Sequence, residues 1–353
     1  MNETKFRILN VLSKGFGKHI SIKELTDRIK EFYGTAYYKN IYDEIKSLTR
    51  EEILQIEKIG NSSIIQLNFA NYLLLDILSE MELKKKYDLL KKRPEMLMIF
   101  QEFDTYLRKI PLISSICISS PEKNIRLNRI EFLALLKNSS EALIIQYKNE
   151  LYRVIDSLQK KYTLKIDCMI LTNNEFLDLL QLKERNPLAE MLSDKIAFIN
   201  PQGFWLDIKE AHKKEIHIIL QPVETNPARI TENDLIYNLA RFGYKEFGSK
   251  ITSGQSICIE YIIAAVFMSR EARRNEAVPV IMEKNNLNYN VLTFLSQKYG
   301  FSDRLLGMLK VLDKIKSSDI IKENILALEN RHVKEIKADK KGIQDKMKLY
   351  NVT

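Results

Sequence analysis

Cysteine and histidine are scarce in this chain, with three and four residues respectively among 353. Cys117, Cys168 and Cys258 lie far apart, each within an apolar run. That excludes a disulfide framework and a cysteine-built zinc site, and leaves reduced core thiols in an intracellular, cytoplasmic protein as the expectation. His19, His212, His217 and His332 show no metal-ligand spacing with those cysteines, so no metal site is expected from them. No nucleophile–base–acid arrangement stands out either. Long apolar runs are missing too: the most apolar, Ile257 to Met268, is too short to span a bilayer and contains Glu260. Met1-Asn2-Glu3-Thr4 leads into a polar amphipathic stretch, so neither a signal peptide nor a membrane partner is expected.

What is present is an ordinary globular balance. Hydrophobic residues make up 45% and charged residues 29%, which argues against wholesale disorder. A length of 353 residues exceeds what one ordinary core supports, so two or three domains are expected. The formal net charge of +9 favours an acidic partner, of which nucleic acid is the commonest. Lysine-rich composition in an AT-rich genome produces the same balance, so placement of the charge matters more than its sum.

The first seventy residues read as three helices and two strands. Phe6, Ile8, Leu9, Val11 and Leu12 have helical spacing, ended by Gly15 and Gly17. In "HISIKELTDRIKEFYG" Ser21 and Glu24 form a capping box, Ile22, Leu25 and Ile29 the buried stripe, and Gly34 the stop. "TAYYKNIYDEIKSLTREE" buries Ile41, Ile45 and Leu48, and "ILQIEKIGNSSIIQLNF" alternates on both sides of Gly60-Asn61 as a hairpin does. This order resembles the winged helix-turn-helix family over residues 1 to about 70. The resemblance implies a third helix in the DNA major groove and a hairpin against the flanking backbone. Tyr37, Tyr38, Lys39, Asn40 and Tyr42 then fall at the start of the recognition helix, with Lys58 and Asn61 at the wing. Asp43 and Glu44 make that helix less basic than a strong DNA reader, and winged helices also serve as protein-interaction modules.

Residues 71 to 109 read as helices. From Ile110, "ISSICIS" and "IEFLALL" are strand-like, "EALIIQYKNELYRVIDSLQKKY" is an amphipathic helix, and "TLKIDCMIL" is a third strand. "TNNEFLDLLQLKERNPLAEMLSDKIAFINPQGFW" follows as short helices and an exit strand, and "EIHIIL" reads as one more strand. From Pro111 to Trp205 this resembles the minimal nucleotidyltransferases. In that family a glycine-serine turn follows the first strand, Ser-Asp-x-Asp lies on the second, and a further Asp on a later strand. Glycine lets a backbone N–H approach the triphosphate, and acids at i and i+2 on one strand face hold Mg²⁺.

Laid onto this chain, Ser119-Ser120 takes the glycine-serine place, Asn128-Arg129-Ile130-Glu131 the second motif, and Asp167 the third acid. The glycine is absent and the first metal carboxylate is Arg129, whose fixed charge favours pairing with Glu131 over sharing a cation. A degenerate centre without bound cofactor is the expectation. If the centre is active instead, Ser120, Glu131 and Asp167 are its catalytic candidates, with Mg²⁺ and a nucleoside triphosphate. Lys123, Arg126 and Arg129 crowd positive charge around the old phosphate position, where an anion can still bind. A solvated loop in front of core strands is the plainer alternative.

After Pro222 and Pro227 only helices are expected: Thr231 caps one, and "SICIEYIIAAVFM" is apolar nearly all round and therefore central. The fold class expected is α+β and multidomain. It comprises a winged helix over 1–70, a helical connector over 71–109, and a nucleotidyltransferase-like domain with a small mixed sheet over 110–222. A helical bundle over 223–325 and a basic tail over 326–353 complete it. The leading functional expectation is a DNA-binding transcriptional regulator with a transferase-like pseudoenzyme domain for dimerisation, protein partners or ligand sensing. The alternative is an active nucleotidyltransferase, for example of a toxin–antitoxin pair.

Overall fold

The computed structural model describes residues 1–16, 18–59, 62–245, 253–269 and 272–352, the side chains of Ile59, Ser62, Ala272 and Arg273 excepted. The chain opens with α1 (Glu3–Lys14), β1 (Ile20–Ser21), α2 (Ile22–Tyr33), α3 (Tyr38–Arg50), β2 (Leu54–Ile59) and β3 (Ser62–Leu67). The three strands form an antiparallel sheet in the order β1-β3-β2, with Ile20 opposite Ile65 and Leu54 opposite Leu67. Ser21 caps α2 by accepting from the Glu24 N–H at 3.1 Å, but only that half of the expected box forms. The Glu24 carboxylate instead takes a hydrogen bond from Arg28 at 2.7 Å, one turn along the helix. Gly34 ends α2 at φ 81°, a left-handed turn that glycine adopts freely. Leu9, Leu25, Ile41, Ile45, Leu48 and Ile65 meet beneath these elements, so the helical stripes close on one face of the small sheet. The two-residue β1 was not foreseen, because two residues are too few to show a period.

Next come α4 (Leu73–Lys92), α5 (Met96–Leu107), β4 (Ile113–Ser119), α6 (Pro121–Arg126), β5 (Arg129–Leu136), α7 (Glu141–Tyr162) and β6 (Lys165–Thr172). They are followed by α8 (Asn173–Leu180), α9 (Pro187–Ser193), β7 (Lys195–Ile199) and α10 (Pro201–Lys213). The second sheet has the order β6-β5-β4-β7 and is mixed: β5 and β6 run parallel, the other pairs antiparallel. Helix α7 makes the crossover that a parallel pair requires. Both faces of this sheet are buried, which explains why its strands read as near-continuous apolar runs. Ile118, Phe132, Ala134 and Cys168 pack under α5 and α7, while Cys117, Leu133 and Met169 face the opposite core. Thr172 and Glu175 form a full capping box at α8, with Glu175 accepting from the Thr172 N–H at 2.7 Å.

The strand expected at "EIHIIL" does not form. Residues 216–220 carry no ladder, although Ile216 is buried and Ile218 and Leu220 pack partly against the core. Their alternation records one-sided burial of a segment that pairs with no strand among the described residues. Helices follow a 3-10 turn at Pro227–Arg229: α11 (Glu232–Arg241), α12 (Ile259–Ser269), α13 (Ala272–Asn275), α14 (Ala277–Lys284), α15 (Tyr289–Tyr299), α16 (Ser302–Ile315), α17 (Asp319–Asn330) and α18 (Lys340–Leu349). Thr231 caps α11 and α12 is buried on all sides, as its sequence implies. Helix α18 lies within the segment read as a basic tail, and it buries Ile343 and Met347.

One apolar cluster runs from Phe6 to Met347, through the inner face of the second sheet, and a second lies on that sheet's outer face. The fold is thus α+β, many helices around two small sheets. Cys117, Cys168 and Cys258 are buried free thiols, pushed well above the ordinary thiol range by burial. No helix among the described residues is long and apolar enough to cross a membrane.

Candidate functional site

Strand β4 leaves the second sheet at Ser119, and Ser120 turns the chain with φ 42°, a left-handed conformation where glycine is usual. Its N–H donates to the Asp194 carbonyl at 2.6 Å, and its own carbonyl accepts from the Asn124 N–H at 2.9 Å. The backbone donor that a phosphate-cradling turn would present is therefore already used inside the protein.

Glu131 and Asp167 are register partners on the parallel strands β5 and β6 and point to the same face. Both side chains are almost completely buried, at 5% and 2% exposure. Arg129, two residues before Glu131 and on the same face, reaches both. Its Nε donates to Asp167 Oδ2 at 2.8 Å, and its Nη2 lies 2.8 Å from Glu131 Oε1 as an ion pair outside hydrogen-bond geometry. From α15, Lys298 donates to Glu131 Oε2 at 3.0 Å and pairs with Glu224 at 2.7 Å. Lys165 adds a weaker approach to Asp167 at 3.8 Å.

These groups do not fit a magnesium ion. The position two residues before Glu131 on the same strand face carries a guanidinium and no carboxylate, and the oxygens facing the centre are engaged by two cations. Among the described residues no group of three or more His, Cys, Asp or Glu side chains is arranged to hold a metal.

Beside this cluster lies a cavity of about 240 Å³, lined in part by Ser120, Lys123, Glu131, Glu224 and Lys298. Burial works to raise the Glu224 carboxyl, but Lys298 and Lys123 outweigh it and hold it at about 2. Lys123 pairs with Glu224 at 2.7 Å, so its charge is answered within the protein. Glu190, deeper in the wall, accepts from Thr225 Oγ1 at 2.5 Å and from the Tyr261 hydroxyl at 2.6 Å. Burial raises its carboxyl. Arg129, Lys123 and Lys298 thus pair with Asp167, Glu131 and Glu224.

Comparison with protein-family models, curated proteins and solved structures returned no match. Of the three cations read as an anion site, Arg129 and Lys123 lie in this cluster, while Arg126 lines a separate small cavity with Lys92, Arg93 and Glu122. Tyr37 and Tyr38, at the start of α3, are 71% and 52% exposed, and Lys39, Asn40 and Lys58 are exposed as well. Tyr38 stacks on Tyr42 with centroids 6.1 Å apart, and the Lys46 ammonium sits 4.4 Å over the Tyr42 ring. Asn61 lies outside the described residues.

Several participants escaped the sequence reading, among them Glu224, Lys46 and Lys298. Lys46 follows Tyr42 by one helical turn, so its place was available from periodicity. Lys298 is 167 residues from Glu131, and no local signal joins them.

Proposed function

We propose that the protein binds double-stranded DNA through residues 1–70 as a winged helix, and acts as a transcriptional regulator. In this reading the nucleotidyltransferase-like sheet, catalytically silent, and the helices after it serve dimerisation, partner binding or sensing. The observation that carries the reading is the order helix, strand, helix, helix, strand, strand, with its β1-β3-β2 sheet. That arrangement buries Ile41, Ile45 and Leu48 of α3 and leaves Tyr38, Lys39 and Asn40 facing solvent. Tyrosine hydroxyls and a lysine suit phosphate contacts, and asparagine suits an adenine edge. The net charge of +9 supports an acidic partner. The test is enrichment from a pool of random-sequence duplexes at low salt. Regulator function requires retained duplexes that converge on a sequence; absence of any retained duplex removes it.

The second reading is an active nucleotidyltransferase. Glu131 and Asp167 standing side by side on adjacent strands favour it, and Arg129 between them opposes it. Its test is label transfer from a nucleoside triphosphate with Mg²⁺ to RNA, protein or small acceptors. Transfer lost on Glu131→Ala would establish it.

A further inference from the structure

Helix α3 distributes its outer side chains unevenly. Counted at roughly 100° per residue, Tyr38, Lys39, Tyr42, Lys46 and Arg50 fall within about a third of its circumference, beside the buried stripe of Ile41, Ile45 and Leu48. Tyr38 and Tyr42 stack with centroids 6.1 Å apart and an interplanar angle of 11°, and the Lys46 ammonium lies 4.4 Å over the Tyr42 ring. The three follow one another a turn apart, so the stack ends in a cation toward the helix C-terminus. Toward the N-terminus it ends in open ring: Tyr38 is 52% exposed, and Tyr37, just before the helix, is 71% exposed. Lys39, Lys46 and Arg50 are exposed and form no ion pair among the described residues. Asp43 borders this face, while Glu44 lies on the far side and accepts from Asn2 at 3.2 Å. The first turn of α3 holds no acidic residue, and no side chain caps it, so its first N–H groups add to the positive side.

We infer that this face of α3 holds unpaired bases of a DNA strand, one base continuing the Tyr42–Tyr38 stack and the phosphates meeting Lys39, Lys46 and Arg50. The inference rests on the reading of residues 1–70 as a DNA-binding module, and it narrows the ligand to duplex that carries an unpaired stretch. Open aromatic faces in line with cations are what a single strand requires, since every base presents a π-face and every nucleotide a charge. Bases within a duplex already stack on one another. Duplex would use the tyrosine hydroxyls against its phosphates and leave the open ring faces idle.

The test is fluorescence anisotropy of the full chain at low salt with three probes: a blunt duplex, the same duplex with a single-stranded thymine overhang, and the thymine strand alone. The overhang duplex is expected to bind about tenfold more tightly than the blunt one, the share of roughly one stacked base. Tyr38→Ala should bring that ratio close to one. Tyr38→Phe should keep it, because the ring stacks and the hydroxyl does not. Tyr38 is exposed, so neither change reaches the core. Equal binding of the two duplexes overturns the inference and leaves the duplex reading standing. An advantage that persists in Tyr38→Ala, or disappears in Tyr38→Phe, overturns it as well. Binding of the overhang duplex and the thymine strand without the blunt duplex supports the inference and removes the duplex reading. Binding of no probe overturns both.

Discussion

Arg129 Nε donates to Asp167 Oδ2 at 2.8 Å, reaching diagonally across the parallel strands past its own register partner Lys165. The same guanidinium touches Glu131, so one side chain answers two buried carboxylates. Removing it leaves Glu131 with Lys298 alone and Asp167 with only the distant Lys165. Arg129→Met is expected to cost about 3 kcal/mol, the scale for stranding a buried charge. Arg129→Lys should recover only part of that, because an ammonium lacks the planar fork. Urea unfolding of the three proteins at neutral pH measures both.

Glu224 gives a pH-dependent signature of the same cluster. Its carboxyl is held at about 2, below the ordinary 4.5, so the stability it contributes is present above about pH 4.5 and lost as pH falls toward 2. Glu224→Gln should therefore destabilise at pH 6, with the difference from the natural protein shrinking steadily below about pH 4.5. Chemical unfolding across that range shows it. Because Glu224 is about a third exposed, the effect should weaken with added salt.

Asp207 on α10 behaves with the opposite sign. It accepts from Ser114 at 3.2 Å and from the Asn173 amide, and burial pushes its carboxyl from 3.8 up to about 6. Such a group favours the fold most below its unfolded value and loses that advantage as pH rises to about 6. Asp207→Asn, which cannot ionise, should be more stable than the natural protein at about pH 7.5, by on the order of 1 kcal/mol. The gain should vanish near pH 4. Thermal unfolding at the two pH values checks it.

Much of this architecture could be read before any coordinates, and the reasons are local. The α2 stripe of Ile22, Leu25 and Ile29, the caps at Ser21, Thr172 and Thr231, and the strands around Cys117, Phe132 and Cys168 each announce themselves within a few residues. The pairing of Arg129 with Glu131 was also legible, because i and i+2 on a strand share a face. What escaped is non-local. Lys298 and Glu224 reach the cluster from distant parts of the chain, and Glu82 gathers Lys85 with Lys195 across 113 residues. "EIHIIL" misled because apolar alternation reports a buried side, and pairing needs a free sheet edge as well.

The exposed start of α3 gives an electrostatic prediction. Lys39→Ala should weaken duplex binding and lower the slope of log affinity against log salt by about one unit. Tyr38→Ala should weaken binding with less change in slope, since it removes a hydroxyl and a ring stacked on Tyr42 but no charge. Fluorescence anisotropy over a salt series separates the two.

The most direct single measurement is retention of random-sequence duplexes at low salt by the natural protein and by a Tyr38→Ala/Lys39→Ala double variant. Retention by the former, largely abolished in the latter while the fold is kept, is the outcome expected of a winged helix that reads DNA through α3. Failure of the natural protein to hold duplex, or equal retention by both, would contradict that role for residues 1–70.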